Sequence, residues 1–154
     1  VEARVDAVPA VAAEFVEGFR RFWRDPDPAE LAGLLTGDVR LVQPLSPALN
    51  GIAEAQAELR RLFRWLPDMR GKVDRWRGDG EDVLIEFRLR ARIGSRTVGW
   101  PVVDCFSLAG GRARERVSCF GPLPVLLQHA RATRSLLRGW RSGAARPWVR
   151  RVSP

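Results

Sequence analysis

From Lys72 to Phe120 the apolar residues recur with a period of two, and short glycine turns interrupt them at hairpin spacing. The alternation is cleanest from Val83 to Ile93, where Ile85, Phe87, Leu89, Ala91 and Ile93 alternate with Glu86, Arg88, Arg90 and Arg92. A segment of this kind is a half-buried strand, with one face on a core or cavity and the other facing water or a partner. Gly78-Asp79-Gly80, Gly94-Ser95 and Gly110-Gly111 provide the turns. This half of the chain is therefore a series of hairpin-linked strands, and whatever precedes it must pack on that sheet.

The strand from Gly99 to Leu108 carries the least expected residue. Trp100, Val102, Asp104, Phe106 and Leu108 share one face, and four of the five are apolar. Burying a charged carboxylate in such a row costs several kcal/mol, so Asp104 is protonated, paired, or at the rim of a cavity. Arg116 and Ser118 on the last strand, Arg112 to Phe120, are expected on the same side. An Asp104–Arg116 pair would lower the acid's pKa and make it a base or anchor, whereas its apolar neighbours alone would raise the pKa and keep it neutral.

Before the sheet the period is helical. Val11, Phe15, Phe19 or Phe22, and Trp23 recur at three- and four-residue steps from Pro9 to about Arg24, and proline suits a first helical turn. Asp27 as N-cap, Pro28 after it and Glu30 three residues beyond predict a short second helix with Leu31, Leu34 and Leu35, stopped at Gly37. Asp38 to Gln43 reads as a strand with Val39, Leu41 and Gln43 on one face, and Pro44 to Gly51 as a loop. Ile52 to Leu66 reads as a third helix burying Ile52, Ala55, Leu59, Leu62, Phe63 and Leu66, ended by Pro67-Asp68. Three helices followed by hairpin-linked strands predict an α+β fold, its helices on one side of an antiparallel sheet.

Composition narrows the function classes. The 154 residues are 45% hydrophobic and 29% charged, which fits one globular domain able to bury a core. No apolar run approaches the roughly 20 residues of a membrane span, and Val1 to Asp6 lack the form of a signal peptide. Two cysteines are no disulfide framework, so Cys105 and Cys119 are expected unbonded on neighbouring strands of a cytoplasmic protein. The only histidine, His129, has no acid or cysteine near it, and the glycine pairs are turns rather than phosphate loops. No metal and no cofactor are expected.

The net charge of +8 is unevenly placed, because residues 122–154 hold seven arginines and no acid. Leu123 to Pro154 reads as a basic amphipathic helix and tail, with a boundary near residue 125 (domain 1–125, tail 126–154). The tail's outer face is solvated, or docks on an acidic partner such as an acyl carrier protein, or on an anionic membrane. Nucleic acid is not expected, because no binding fold accompanies the charge.

Phe15 to Gln43-Pro44, Trp100-Pro101-Val102-Val103-Asp104-Cys105-Phe106, Gly111-Arg112 and Phe120-Gly121 together resemble the nuclear transport factor 2-like fold over about residues 9–125. The ketosteroid isomerases and SnoaL-like polyketide cyclases are the branches most alike. The resemblance implies a cone-shaped α+β barrel, with three helices on a curved antiparallel sheet around an apolar pocket, and often a homodimer.

A ketosteroid isomerase uses a base aspartate, a tyrosine and a protonated aspartic acid. By resemblance Asp104, two before Phe106, occupies the place of the last of these. Gln43-Pro44 stands where the base lies in an Asp-Pro pair, and Phe19 stands in the tyrosine's place. Neither Gln43 nor Phe19 can move a proton, which disfavours steroid isomerisation. Epoxide hydrolases of the limonene type have this fold too. Their Arg-x-Asp would fall at Arg88-Leu89-Arg90 and a further carboxylate within Val117 to Gly121, and both acids are missing.

The reading that results is a cyclase or isomerase acting on a hydrophobic polyketide-type molecule. Asp104 polarises a carbonyl and Gln43 orients it, while Phe19, Phe87, Leu89, Trp100, Val102, Phe106, Arg116, Ser118 and Phe120 line the substrate's cavity. The alternatives are a non-catalytic carrier of a hydrophobic ligand, and an epoxide hydrolase-like enzyme with a changed site.

Overall fold

The computed structural model describes residues 7–44, 46–121 and 141–142. Helix α1 (Ala7–Arg24) opens the fold, and Phe15, Phe19, Phe22 and Trp23 form its buried stripe. Ala12 and Val16 extend that stripe, while Val11, expected on it, is exposed. Asp27 then caps a 3-10 turn (Pro28–Glu30), its carboxylate accepting the Ala29 amide at 2.8 Å.

The turn leads into a single helical turn, α2 (Leu31–Leu34), which is shorter than the spacing predicts. Leu35 already belongs to strand β1 (Leu35–Val42), and Gly37 lies inside that strand instead of ending a helix. Leu35 fits both the helical set with Leu31 and the alternation through Val39 and Leu41. Pairing of Leu35 with Ala113 decides in favour of the strand. Gln43 lies one residue past the strand's end.

The proline-rich loop contains a two-residue strand, β2 (Leu49–Asn50), paired antiparallel to β1. Gly51, at a φ of 84°, then starts α3 (Ile52–Trp65), and the Asn50 amide donates to Glu54 Oε2 at 2.7 Å. The acid in the first turn thus bonds back to the residue just ahead of the cap, and negative charge also suits a helix start. On the side expected to be buried, Ala55 and the capping Leu66 are buried, and Ile52, Leu59, Leu62 and Phe63 are half-buried.

The four long strands follow as β3 (Arg70–Asp79), β4 (Asp82–Ile93), β5 (Arg96–Ala109) and β6 (Arg112–Cys119). Gly78 and Asp79 remain in β3, so the first hairpin turn is only Gly80-Glu81. The Gly94-Ser95 and Gly110-Gly111 turns lie where the sequence predicts them. Cys105 and Cys119 are unbonded and exposed on neighbouring strands.

The sheet order is β2-β1-β6-β5-β4-β3, antiparallel along the hairpins, with β1 joining β6 in parallel. Register shifts in the β3–β4 and β5–β6 pairs mark bulges, and the β1–β6 pairing is interrupted between Leu35 and Arg40; bulges bend a sheet. The result is a curved, open α+β cone, its helices on the concave face. The candidate helix and basic tail beyond residue 121, with His129, fall outside the described residues, apart from the helical pair Arg141 and Ser142.

Helix α1 lies close enough to β3 that Trp23 rests on the backbone of Gly71. A Cβ at Gly71 would come within 2.9 Å of Trp23 Cβ. Gly71→Ala is therefore expected to destabilise the fold by about 1–3 kcal/mol through overpacking. Gly37→Ala, with nothing within 4 Å of the added atom, is expected to change stability by less than about 0.5 kcal/mol. Urea unfolding of the two variants checks the contrast.

Candidate active site

The helices and the concave face of the sheet enclose a cavity of about 210 Å³ with mostly apolar walls. Each element supplies residues at its own period. Alternation on β4 turns Phe87 and Leu89 inward, and on β5 it turns Trp100, Val102, Asp104 and Phe106 inward. From β6 come Arg116 and Ser118, with Phe120 just beyond. Phe19 descends from α1, and Gln43 reaches in from the end of β1. All the residues singled out for the site from the sequence thus line one cavity.

A bulge produces the polar part of this wall. The two-residue turn at Gly110-Gly111 pairs Ala109 with Arg112 and Leu108 with Ala113, but Ser107 pairs with Glu115. Arg114 is the extra residue. Without it Asp104 would face Val117. With it Asp104 is opposite Ser118 and Phe106 is opposite Arg116, and directly opposed residues share a face. On its other side β6 pairs Arg116 with Leu41, so Gln43, two residues on, lies within reach.

The hydrogen bonds follow from this register. Ser118 Oγ donates to Asp104 Oδ1. Arg116 Nη2 donates to Gln43 Oε1 at 2.8 Å. Asp104 Oδ2 and Arg116 Nε are buried without a partner. Leaving such an atom unsatisfied typically costs about 1–3 kcal/mol, more if it is charged.

Asp104 is 1% exposed and makes no ion pair with Arg116, which bonds to Gln43 instead. Of the two sequence-based alternatives for this acid, the direct salt bridge is absent. Burial pushes its carboxyl above the usual carboxylate range, against the smaller opposing effects of the Arg116 charge and the Ser118 bond. Burial thus works toward the neutral acid, while Oδ1 accepts from Ser118 and Oδ2 has no partner.

Sequence reasoning did not single out Glu58 of α3, the other acid on the cavity wall. It lies between Ala55 and Leu62 at helical spacing, so the stripe that located those residues also locates it. Arg61 holds Glu58 Oε2 through Nη2 at 2.6 Å and Nε at 2.9 Å. Trp65 and Met69 complete that wall. Among the described residues, no three His, Cys, Asp or Glu side chains gather as a metal site.

Solved structures share the architecture. A candidate SnoaL-like polyketide cyclase from Jannaschia sp. CCS1 is 22% identical, with a TM-score of 0.67 over 77% of this chain and 92% of that one. TerC, co-crystallized with polyporic acid, is 17% identical, with a TM-score of 0.71 over 78% and 98%. An LEH-like epoxide hydrolase from M. tuberculosis is 22% identical, with a TM-score of 0.66 over 83% and 96%. At such identities the likeness is one of fold. No curated protein matches the sequence. Residues 16–116, however, match the family described as the SnoaL-like domain, and they include every cavity-lining residue except Phe15, Ser118 and Phe120. The chain belongs to the SnoaL-like domain family.

Proposed function

We propose that this protein is a cyclase or isomerase that folds a hydrophobic, polyketide-type molecule in the cavity and promotes carbon–carbon ring closure. The observation that carries the proposal is Asp104, buried between Val102 and Phe106 with Ser118 on one oxygen and no partner on the other. Held neutral, it donates from Oδ2 to a substrate carbonyl and draws electron density toward that oxygen. Gln43, bonded to Arg116, helps orient the bound molecule.

The apolar walls contribute by holding two reacting segments of one flexible chain together. A cycloaddition suits this inventory best, because two π bonds become two σ bonds and no proton or electron leaves. An aldol-type closure needs a base. The cavity's other acid, Glu58, is tied to Arg61, and Gln43 is no base. Epoxide hydrolysis by paired carboxylates finds the same lack. That some fold neighbours are described as polyketide cyclases, and one was crystallised with polyporic acid, supports the substrate class.

The test begins with deletion of the gene in its host and isolation of the uncyclised precursor that accumulates. Purified protein is then given that precursor. Asp104→Ala is expected to lower kcat by about a hundredfold, the usual cost of removing a preorganised donor. Asp104→Asn, which keeps an N–H donor, is expected to lose less, about tenfold. Ring closure at the wild-type rate by Asp104→Ala would remove the acid from the mechanism. A precursor that binds and emerges unchanged would make the protein a carrier.

A further inference from the structure

Arg116 is a half-buried cation in an apolar wall, and it makes no ion pair among the described residues. Its Nη2 is bonded to the neutral Gln43 and its Nε has no acceptor. Of the two acids lining the cavity, Glu58 is bonded to Arg61, and Asp104 is bonded to Ser118 with its carboxyl held toward the neutral form. Arginine remains charged in proteins, and a charge partly withdrawn from water, with one buried N–H lacking an acceptor, is best satisfied by an opposite charge close by.

The unpartnered atoms belong to neighbouring residues of the cavity wall. Asp104 Oδ2 and Arg116 Nε are two of the three buried side-chain atoms without a partner among the described residues. Their residues face the same side of adjacent strands, two positions apart across the β5–β6 register. Both are donors when Asp104 is protonated. Two donors on one stretch of wall, one of them charged, fit an oxygen that carries negative charge better than a neutral carbonyl alone.

We infer that the ligand of this cavity is an organic acid, its ionised oxygen group bound by Arg116 beside Asp104. Gln43 is a positioning residue that fixes the guanidinium through Nη2. The inference rests on the cavity being the ligand site, as in the proposed function, and adds the charge of the molecule it takes.

Two flat aromatic compounds of nearly equal shape test it: 2-naphthoate, ionised at pH 7.5, and the neutral 2-naphthamide, each titrated calorimetrically into the whole protein. Wild type is expected to bind the acid at least tenfold more tightly than the amide. Arg116→Gln should bring the two affinities within about twofold of each other by weakening the acid alone, and Arg116→Lys should keep part of the preference. Equal affinities in wild type, or a preference unchanged in Arg116→Gln, overturn the inference while leaving the cavity as a binding site. Binding of neither compound overturns both the inference and the cavity reading beneath it. Should Arg116→Gln fail to fold, the wild-type ratio and Arg116→Lys still decide.

Discussion

Phe19→Ala is expected to destabilise the protein by about 3–5 kcal/mol, the usual range for emptying a buried aromatic site. Phe19 joins the first helix to the sheet. Its ring centre lies 5.1 Å from that of Phe87, 5.5 Å from that of Phe106 and 6.3 Å from that of Trp23, all in edge-to-face arrangements. Such pairs add about 0.5–1.5 kcal/mol each beyond the area they bury. The partners sit on β4, β5 and α1, so no single element can relax to fill the void. Phe19→Leu should recover a large part of the loss by restoring volume. Urea unfolding gives both values. A loss below about 1 kcal/mol for Phe19→Ala would mean that the rings line the cavity without packing as a unit.

The same cluster shows what the sequence could and could not reveal. The faces of β4 and β5 were legible because an alternating pattern exposes every second residue, and Phe87, Trp100, Val102, Asp104 and Phe106 all follow it. The pairing of β1 with β6 was not, because two segments some 75 residues apart leave no joint period in the chain. That pairing nonetheless delivers Gln43 to Arg116.

The placement of Arg116 and Ser118 beside Asp104 is a subtler case. The expected face is correct, but a two-residue glycine turn alone would put Val117 opposite Asp104. The bulge at Arg114 restores the shared face, and nothing about Arg114 as a residue type announces it. Leu35 is ambiguous for the opposite reason, since it satisfies the helical and strand patterns together. Glu58 was legible from the α3 stripe but carried no chemical motif. The family resemblance located Gln43 and Phe19 on the cavity wall while showing that neither keeps the proton chemistry of those positions.

Asp104→Asn is expected to raise stability at neutral and alkaline pH and to leave it nearly unchanged in acid. Burial holds the folded-state carboxyl above its ordinary range, whereas in the unfolded chain it titrates near about 3.9. Between those two values the native state binds a proton that the unfolded state has released, so this group's stabilising contribution falls as pH rises. It is fully present below the ordinary carboxylate range and lost by the time pH passes the raised folded value.

Asparagine keeps the shape and the oxygen that accepts from Ser118, and it never ionises, so its curve lacks this slope. Other carboxylates titrate alike in both proteins, and the difference between the two curves isolates Asp104. Leaving a buried carboxylate charged and unpaired costs several kcal/mol, and each kcal/mol recovered raises Tm by about 2–4 °C in a chain of this size. Thermal melts from pH 4 to 9 give the comparison. Parallel curves would show that Asp104 ionises as easily folded as unfolded. The Arg116 charge and the Ser118 bond would then cancel the effect of burial, and the acid would act in the cavity as an anion, able to accept a proton but with none to donate to a carbonyl.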